Sequence, residues 1–191
     1  IEPSQVNRII AETDVEIRSG SYQAGAERAE YDIYSGPIGP VGTGLDTLRL
    51  FGPPQNTPPH PWVRDELGNR ITAPEIHMQR LTTEAGHRDQ HLMVARGGVS
   101  VCDFVNKQDD PNVRPKVISV KCERGMEYTQ ANKKARFEGQ VMATSDSPED
   151  NYVLTSDRLL IDFEETPSPT DPDDFVTWIR RITAEGNARL M

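Results

Sequence analysis

Apolar and polar residues alternate along most of this chain. Ala29, Tyr31 and Ile33 stand at every second position, and so do Leu159, Ile161 and Phe163. That period is the mark of a strand with one buried face. The same spacing predicts strands around Val15 and Ile17 and over 29–34, 45–51, 76–81, 92–95 and 99–104. A later set covers 117–122, 126–129, 135–143, 152–155 and 159–163. Turn signals such as Ser35-Gly36-Pro37, Gly97-Gly98 and Arg124-Gly125 separate them. Many short strands at this spacing predict an all-β meander, sandwich or roll.

Two Pro-rich stretches interrupt the pattern. Residues 52–61 hold five prolines, which lack the ladder donor and fix φ, so 53–69 reads as an inserted loop. Residues 166–174 read as a Pro-rich linker. Beyond it, 175–191 is ambiguous. Phe175, Trp178, Ile179 and Ile182 fit helix spacing, whereas Ile182, Ala184, Ala188 and Leu190 fit a strand. The expected organisation is a repeat domain over 1–165, the linker, and then the start of another repeat or a terminal strand or helix. A strand is favoured from about Arg180, with a helical turn before it.

The reason to favour a strand is a repeat. The segment from Arg8 to Ile17 aligns without a gap on that from Arg181 to Leu190, with Arg8 on Arg181, Ala11 on Ala184 and Glu12 on Glu185. A second match sets Ala26-Glu27-Arg28 on Ser156-Asp157-Arg158, and Asp32 on Asp162. A chain that opens and closes on one phrase reads as one period of a longer repeating protein. The start at Ile1, with no charged-then-apolar leader, fits the same expectation. The inward face is then expected to carry Val15, Ile17, Tyr31, Ile33, Val99, Val101, Phe137, Val141, Leu159 and Ile161.

Composition narrows the classes. Hydrophobic residues are 35% of the chain, with 15 Pro, 14 Gly and a mean hydropathy of -0.63, which suits a thin, turn-rich β architecture. A net charge of -9 argues against nucleic acid, whose phosphates need clustered Lys and Arg. The short basic runs Lys133-Lys134 and Arg180-Arg181 read as solvated strand faces. No stretch approaches the roughly 20 apolar residues of a spanning helix.

Chemistry is sparse. Cys102 and Cys122, both in strand-like runs, are too far apart for a CxxC pair. They are either two buried thiols or a cross-strand disulfide, worth about 3 kcal/mol in an oxidising compartment. His87 and His91 share an H-x₃-H spacing, with His77 nearby, but no ligand shell is completed around them. Asp171, Asp173 and Asp174 read as solvated linker rather than a cation site, and residues 36–44 lack a P-loop ending. No catalytic constellation emerges, so a non-enzyme without cofactor or metal is expected.

The phrase Ile182-Thr183-Ala184-Glu185-Gly186-Asn187-Ala188, the run Ala26 to Asp32 and Ala135-Arg136-Phe137-Glu138-Gly139-Gln140-Val141 resemble the OstA-like (LptA-like) family of periplasmic domains. The resemblance covers most of the chain outside its insertions at 52–69 and 106–115. It implies a twisted, open β-jellyroll of antiparallel strands, with an interior groove for the acyl chains of lipopolysaccharide or another acylated glycolipid. It further implies the cell envelope of a Gram-negative-type bacterium, and head-to-tail stacking with copies of itself or with related jellyroll transport proteins. An ordinary closed core would use the same ten inward residues, and a structural module joining partners edge to edge would need no ligand. A carbohydrate-active β-enzyme is the third reading and would need a cleft of carboxylates.

Overall fold

The computed structural model describes residues 7–19, 22–34, 44–54, 57–82, 90–106, 116–146, 151–167 and 175–191. Within them the chain is all-β and antiparallel. The strands are β1 (Arg8–Ser19), β2 (Tyr22–Asp32), β3 (Gly44–Phe51), β4 (Trp62–Asp65), β5 (Arg70–Thr72), β6 (Glu75–Leu81) and β7 (Gln90–Arg96). They continue as β8 (Ser100–Asn106), β9 (Lys116–Cys122), β10 (Gly125–Thr129), β11 (Lys134–Ser145), β12 (Val153–Pro167), β13 (Phe175–Glu185) and β14 (Arg189–Leu190).

Two long strands divide the sheet into layers. β1 covers one edge of β2 along its length, so β2 presents its other edge to two strands, β4 at residues 22–25 and β3 at residues 28–32. β11 does the same on the far side, meeting β10 at 134–138 and β9 at 142–145 while β12 covers its opposite edge. Between β2 and β11 the sheet therefore splits into the layers β3-β6-β7-β10 and β4-β5-β8-β9. The result is a jellyroll-like ring, not a barrel, because the ring leaves and rejoins each long strand on a single edge.

The split requires the long strands to bend. Two residues with positive φ oppose one residue of the partner at Thr13-Asp14 (φ 70 and 51) against Glu27, and at Gly139-Gln140 (φ 79 and 43) against Asp157. A third such pair, Gly186-Asn187 (φ 69 and 47), separates β13 from β14, and Asp157 N–H donates to the Gly186 carbonyl at 2.9 Å. A bulge of this kind adds local twist and lets a strand pass from one layer to the next.

These corners explain the sequence repeat. In β1–β2, Arg8 pairs with Asp32, Ala11 with Ala29 and Glu12 with Arg28. In β13–β12, Arg181 pairs with Asp162, Ala184 with Leu159 and Glu185 with Arg158. The aligned residues thus occupy the same places in two ladders of identical register. β11 carries a third version, with Glu138 opposite Arg158.

Three expectations are corrected here. Residues 53–69 are not one loop, because β4 runs through them: the prolines end at Pro61, and Val63 then points into the core while Trp62 covers Gly25. A Cβ on Gly25 would meet the Trp62 ring at 2.6 Å. No helical turn precedes Arg180, since strand pairing with β12 starts at Phe175. Thr166 and Pro167 belong to β12 rather than to a linker. Pairing to the β12 ladder overrides the helical spacing of 175–182. Residues 36–43, 83–89, 107–115 and 168–174, with His87 and the Asp171, Asp173 and Asp174 group, lie outside the described residues.

Candidate functional site

The two layers and their corners enclose one hydrophobic cluster. Phe137, Leu50, Ile76, Leu159, Ile161, Val120 and Val141 are its largest fully enclosed apolar side chains, apart from Pro61. Of the ten expected inward residues, Phe137, Val141, Leu159 and Ile161 are buried in this cluster. Val15, Ile17 and Tyr31 pack against it half-buried, and Ile33 sits half-buried just past the end of β2.

Val99 and Val101 are misplaced by the sequence reading. Ser100 and Cys102 are the fully buried residues of this stretch, so β8 has the opposite parity. Val101 lies in the outer row between Thr72 and the exposed Lys121, and Val99 is 42% exposed. Apolar residues at both parities of β8 concealed the inward face. The period-two pairs Leu48/Leu50 and Ile76/Met78 are core residues that the same signal could have named.

One end of the interior is aromatic. Phe104 meets Phe137 edge-on at 6.2 Å and lies tilted against Phe163 at 5.4 Å, and Tyr128 stands edge-on to Phe163 at 5.7 Å. Phe104, Tyr128, Ile118 and Ile179 are only half-buried, so apolar surface reaches the outside at that end. By contrast, the surface depressions carry charged side chains. One of about 560 Å³ is lined by Arg49, Glu75, His77, Gln79 and Arg96 among others, and one of about 520 Å³ by Glu12, Glu27, Arg28 and Glu30 with Phe51. His77 is engaged by Glu75 at 2.5 Å and Arg96 at 3.1 Å, and stands on the strand beside that of His91.

The two cysteines are free and buried. Cys102 pairs with Val120 and Cys122 with Ser100, so the thiols are diagonal neighbours on β8 and β9. Diagonal residues stand about 7–8 Å apart, beyond the usual Cα separation of a disulfide. Burial pushes both thiols above the ordinary range.

No family model, curated protein or solved structure matches this chain. The candidate site therefore rests on the geometry of the chain. The remaining feature of that geometry is the outer edge of each terminal strand. Among the described residues β1 pairs only with β2, and β13 only with β12. An unpaired edge presents a row of N–H and C=O groups to any chain that can add a strand. β1 also exposes Ile9 and Ile10 by half.

The outer face near β1 is held by ion pairs. Glu30, 6% exposed, receives Arg8, Arg28 at 2.5 Å and Arg49 at 3.3 Å, while Asp32 takes Arg49 at 2.8 Å. Burial pulls the Glu30 carboxyl upward, but hydrogen bonds from Arg8 and Arg28 outweigh it and leave it below its ordinary value. Asp46 behaves alike. Burial raises it, and the Tyr34 N–H at 2.8 Å, Arg80 at 2.7 Å and the Tyr31 hydroxyl at 3.2 Å lower it further than that.

A carboxylate with a lowered folded pKa adds stability above its unfolded value of about 4. That contribution is lost as pH falls through the lower folded value. Asp46→Asn is therefore expected to be less stable than the parent at neutral pH and to have a flatter acid limb. Urea midpoints measured from neutral to acidic pH check this, and parallel curves for the two proteins would refute it.

Proposed function

We propose that this chain is a non-enzymatic, OstA/LptA-like module of a bacterial cell envelope. It joins further β-jellyroll units edge to edge, and its apolar interior conveys the acyl chains of lipopolysaccharide-type glycolipid. The observation that carries the reading is the matched pair of terminal ladders. β1–β2 and β13–β12 share register, bulge position and paired residue types, and among the described residues each leaves one edge unpaired. A stack of such units needs equivalent ends. The half-buried Phe104, Ile118, Tyr128 and Ile179 support the lipid part, because each CH₂ taken from water there gains about 0.8 kcal/mol.

The enclosed Phe137, Leu159 and Ile161 favour a second reading, a spacer that assembles without ligand. Two measurements separate the readings. Light scattering on the whole chain is expected to show concentration-dependent association that Ile10→Lys weakens roughly tenfold, by placing charge on the β1 edge. A fluorescent acyl probe is expected to bind saturably, and Phe104→Asp at the half-open end to abolish that binding while far-UV circular dichroism is unchanged. Association without saturable binding leaves the spacer. A monomer at every concentration removes the edge-to-edge role.

A further inference from the structure

The two short basic runs, apart in sequence, meet on one surface. Lys133, Lys134, Arg180 and Arg181 line a depression of about 360 Å³ with Asn132, Asp162 and Phe163. Two local irregularities bring them there. The β10–β11 turn places Lys133 at φ 52, and its carbonyl accepts the Phe163 N–H at 2.8 Å, which ties the turn to β12. On the other side the β12–β13 ladder slips: Asp162 pairs with Arg181 and Phe163 with Ile179, so Arg180 is an extra residue opposite no partner. Lys134, Asp162 and Arg181 then form one row across three strands.

Among the described residues Asp162 is the single carboxylate lining the depression, and it meets Lys134 at 3.5 Å. Glu164 follows on the same strand, exposed, and does not line it. The repeat supplies an internal comparison. On the equivalent face of β1, β2 and β3, the cations Arg8, Arg28 and Arg49 are matched by the carboxylates Glu12, Glu30 and Asp32. Glu30, which receives all three arginines there, aligns with Leu160 in the second ladder. The counterparts of Arg28 and Arg49, Arg158 and Arg136, are taken up by Glu138 and Glu185, whereas Arg181, the counterpart of Arg8, loses the acid that Leu160 replaces and stands opposite Asp162 in the depression.

We infer that this depression binds a phosphomonoester group. Two arginines offer planar pairs of donors that match phosphate oxygens, and two lysines add point charges. A dianion answers the charge of Arg180 and Arg181, which Asp162, engaged by Lys134, does not balance. The group can arrive on a lipid headgroup or as free phosphate. The site lies outside the apolar interior, so it stands or falls apart from the acyl reading.

Calorimetric titration with inorganic phosphate, and flotation with phosphatidylcholine vesicles with and without phosphatidic acid, test it on the whole chain. Saturable binding is expected in at least one arm, and which arm responds identifies the source. Arg180→Gln with Arg181→Gln is expected to weaken binding roughly tenfold or more, the worth of one or two charge-assisted hydrogen bonds. Leu160→Glu, which restores the acid of the first ladder, is expected to weaken it similarly. Arg18→Gln, on the far end of β1, leaves it unchanged. No saturable binding in either arm, or binding indifferent to both the double variant and Leu160→Glu, overturns the proposal.

Discussion

Phe137→Ala is expected to lower the unfolding free energy by about 3–5 kcal/mol. For a chain of this size that moves the thermal midpoint down by roughly 6–20 °C. Phe137 sits in the half of β11 that pairs with β10, with no exposed surface and edge-on to Phe104. Its neighbours in the cluster, Leu159 and Ile161, are equally enclosed, and the truncation would leave a cavity lined by groups held in strands. Strands cannot collapse into such a space without giving up ladder hydrogen bonds. Urea unfolding followed by circular dichroism measures the loss. A cost near 1 kcal/mol would mean that the ring is replaced by solvent or ligand, as in an open groove. The same placement explains why an acid at 137 is a poor probe of lipid binding: it would bury an unpaired carboxylate and unfold the chain before any binding could be read.

The second large effect belongs to Gly125→Ala. Gly125 opens β10 with φ at +133, a conformation that L side chains rarely adopt. A Cβ there would stand 2.6 Å from the carbonyl oxygen of Ala95 on β7. That atom is backbone in a paired strand, with Met126 opposite Ala95, so it cannot swing aside. Backbone strain and overpacking together are expected to cost about 2–4 kcal/mol. Gly97→Ala separates the two contributions. Gly97 also has positive φ, but the nearest atom to its Cβ is 3.4 Å away in the Pro74 side chain. Its expected cost is the left-handed penalty alone, about 1–2 kcal/mol. Equal losses in the two variants, measured as urea midpoints, would show that the Ala95 contact is relieved by movement of the layer.

Both variants probe the split between β2 and β11, which the sequence did not reveal. Hydrophobic alternation identifies strands because neighbouring side chains must leave opposite faces of the backbone. It therefore marked β3, β6, β9 and β11 well, and it failed at β8, where apolar residues occupy both faces. β4 and β5 escaped notice because they are short and follow a run of prolines. Nothing in the order of residues says that β2 pairs with β3 along one half and with β4 along the other. That choice depends on contacts between residues far apart in the chain.

The internal repeat went further than periodicity. The alignment of Arg8 with Arg181 and of Ala26 with Ser156 came from letters alone, yet it matches two ladders residue for residue. Its most telling letters are those around Glu12 and Glu185, and the structure adds Glu138, outside the alignment, in the same setting. Each glutamate lies opposite an arginine and precedes two residues of positive φ, where the strand turns from one layer to the other. Glycine and asparagine fill some of those places because they tolerate that conformation. The corner is thus a local device, built from adjacent residues.

What tertiary structure alone decided is what stands next to what. Lys133-Lys134 and Arg180-Arg181 each read as an ordinary solvated run, since charge beside charge along a strand usually faces water. Only the tie from Lys133 to Phe163 and the slipped register at Arg180 set them around one carboxylate. The loss of a balancing acid at Leu160 was present in the alignment, but its consequence needed three strands in register. By itself the sequence determined most of the strands and the repeat, because these follow from covalent spacing and local backbone preference. The two layers, the enclosed core and the basic depression came from long-range pairing, whose energy no short window of residues contains.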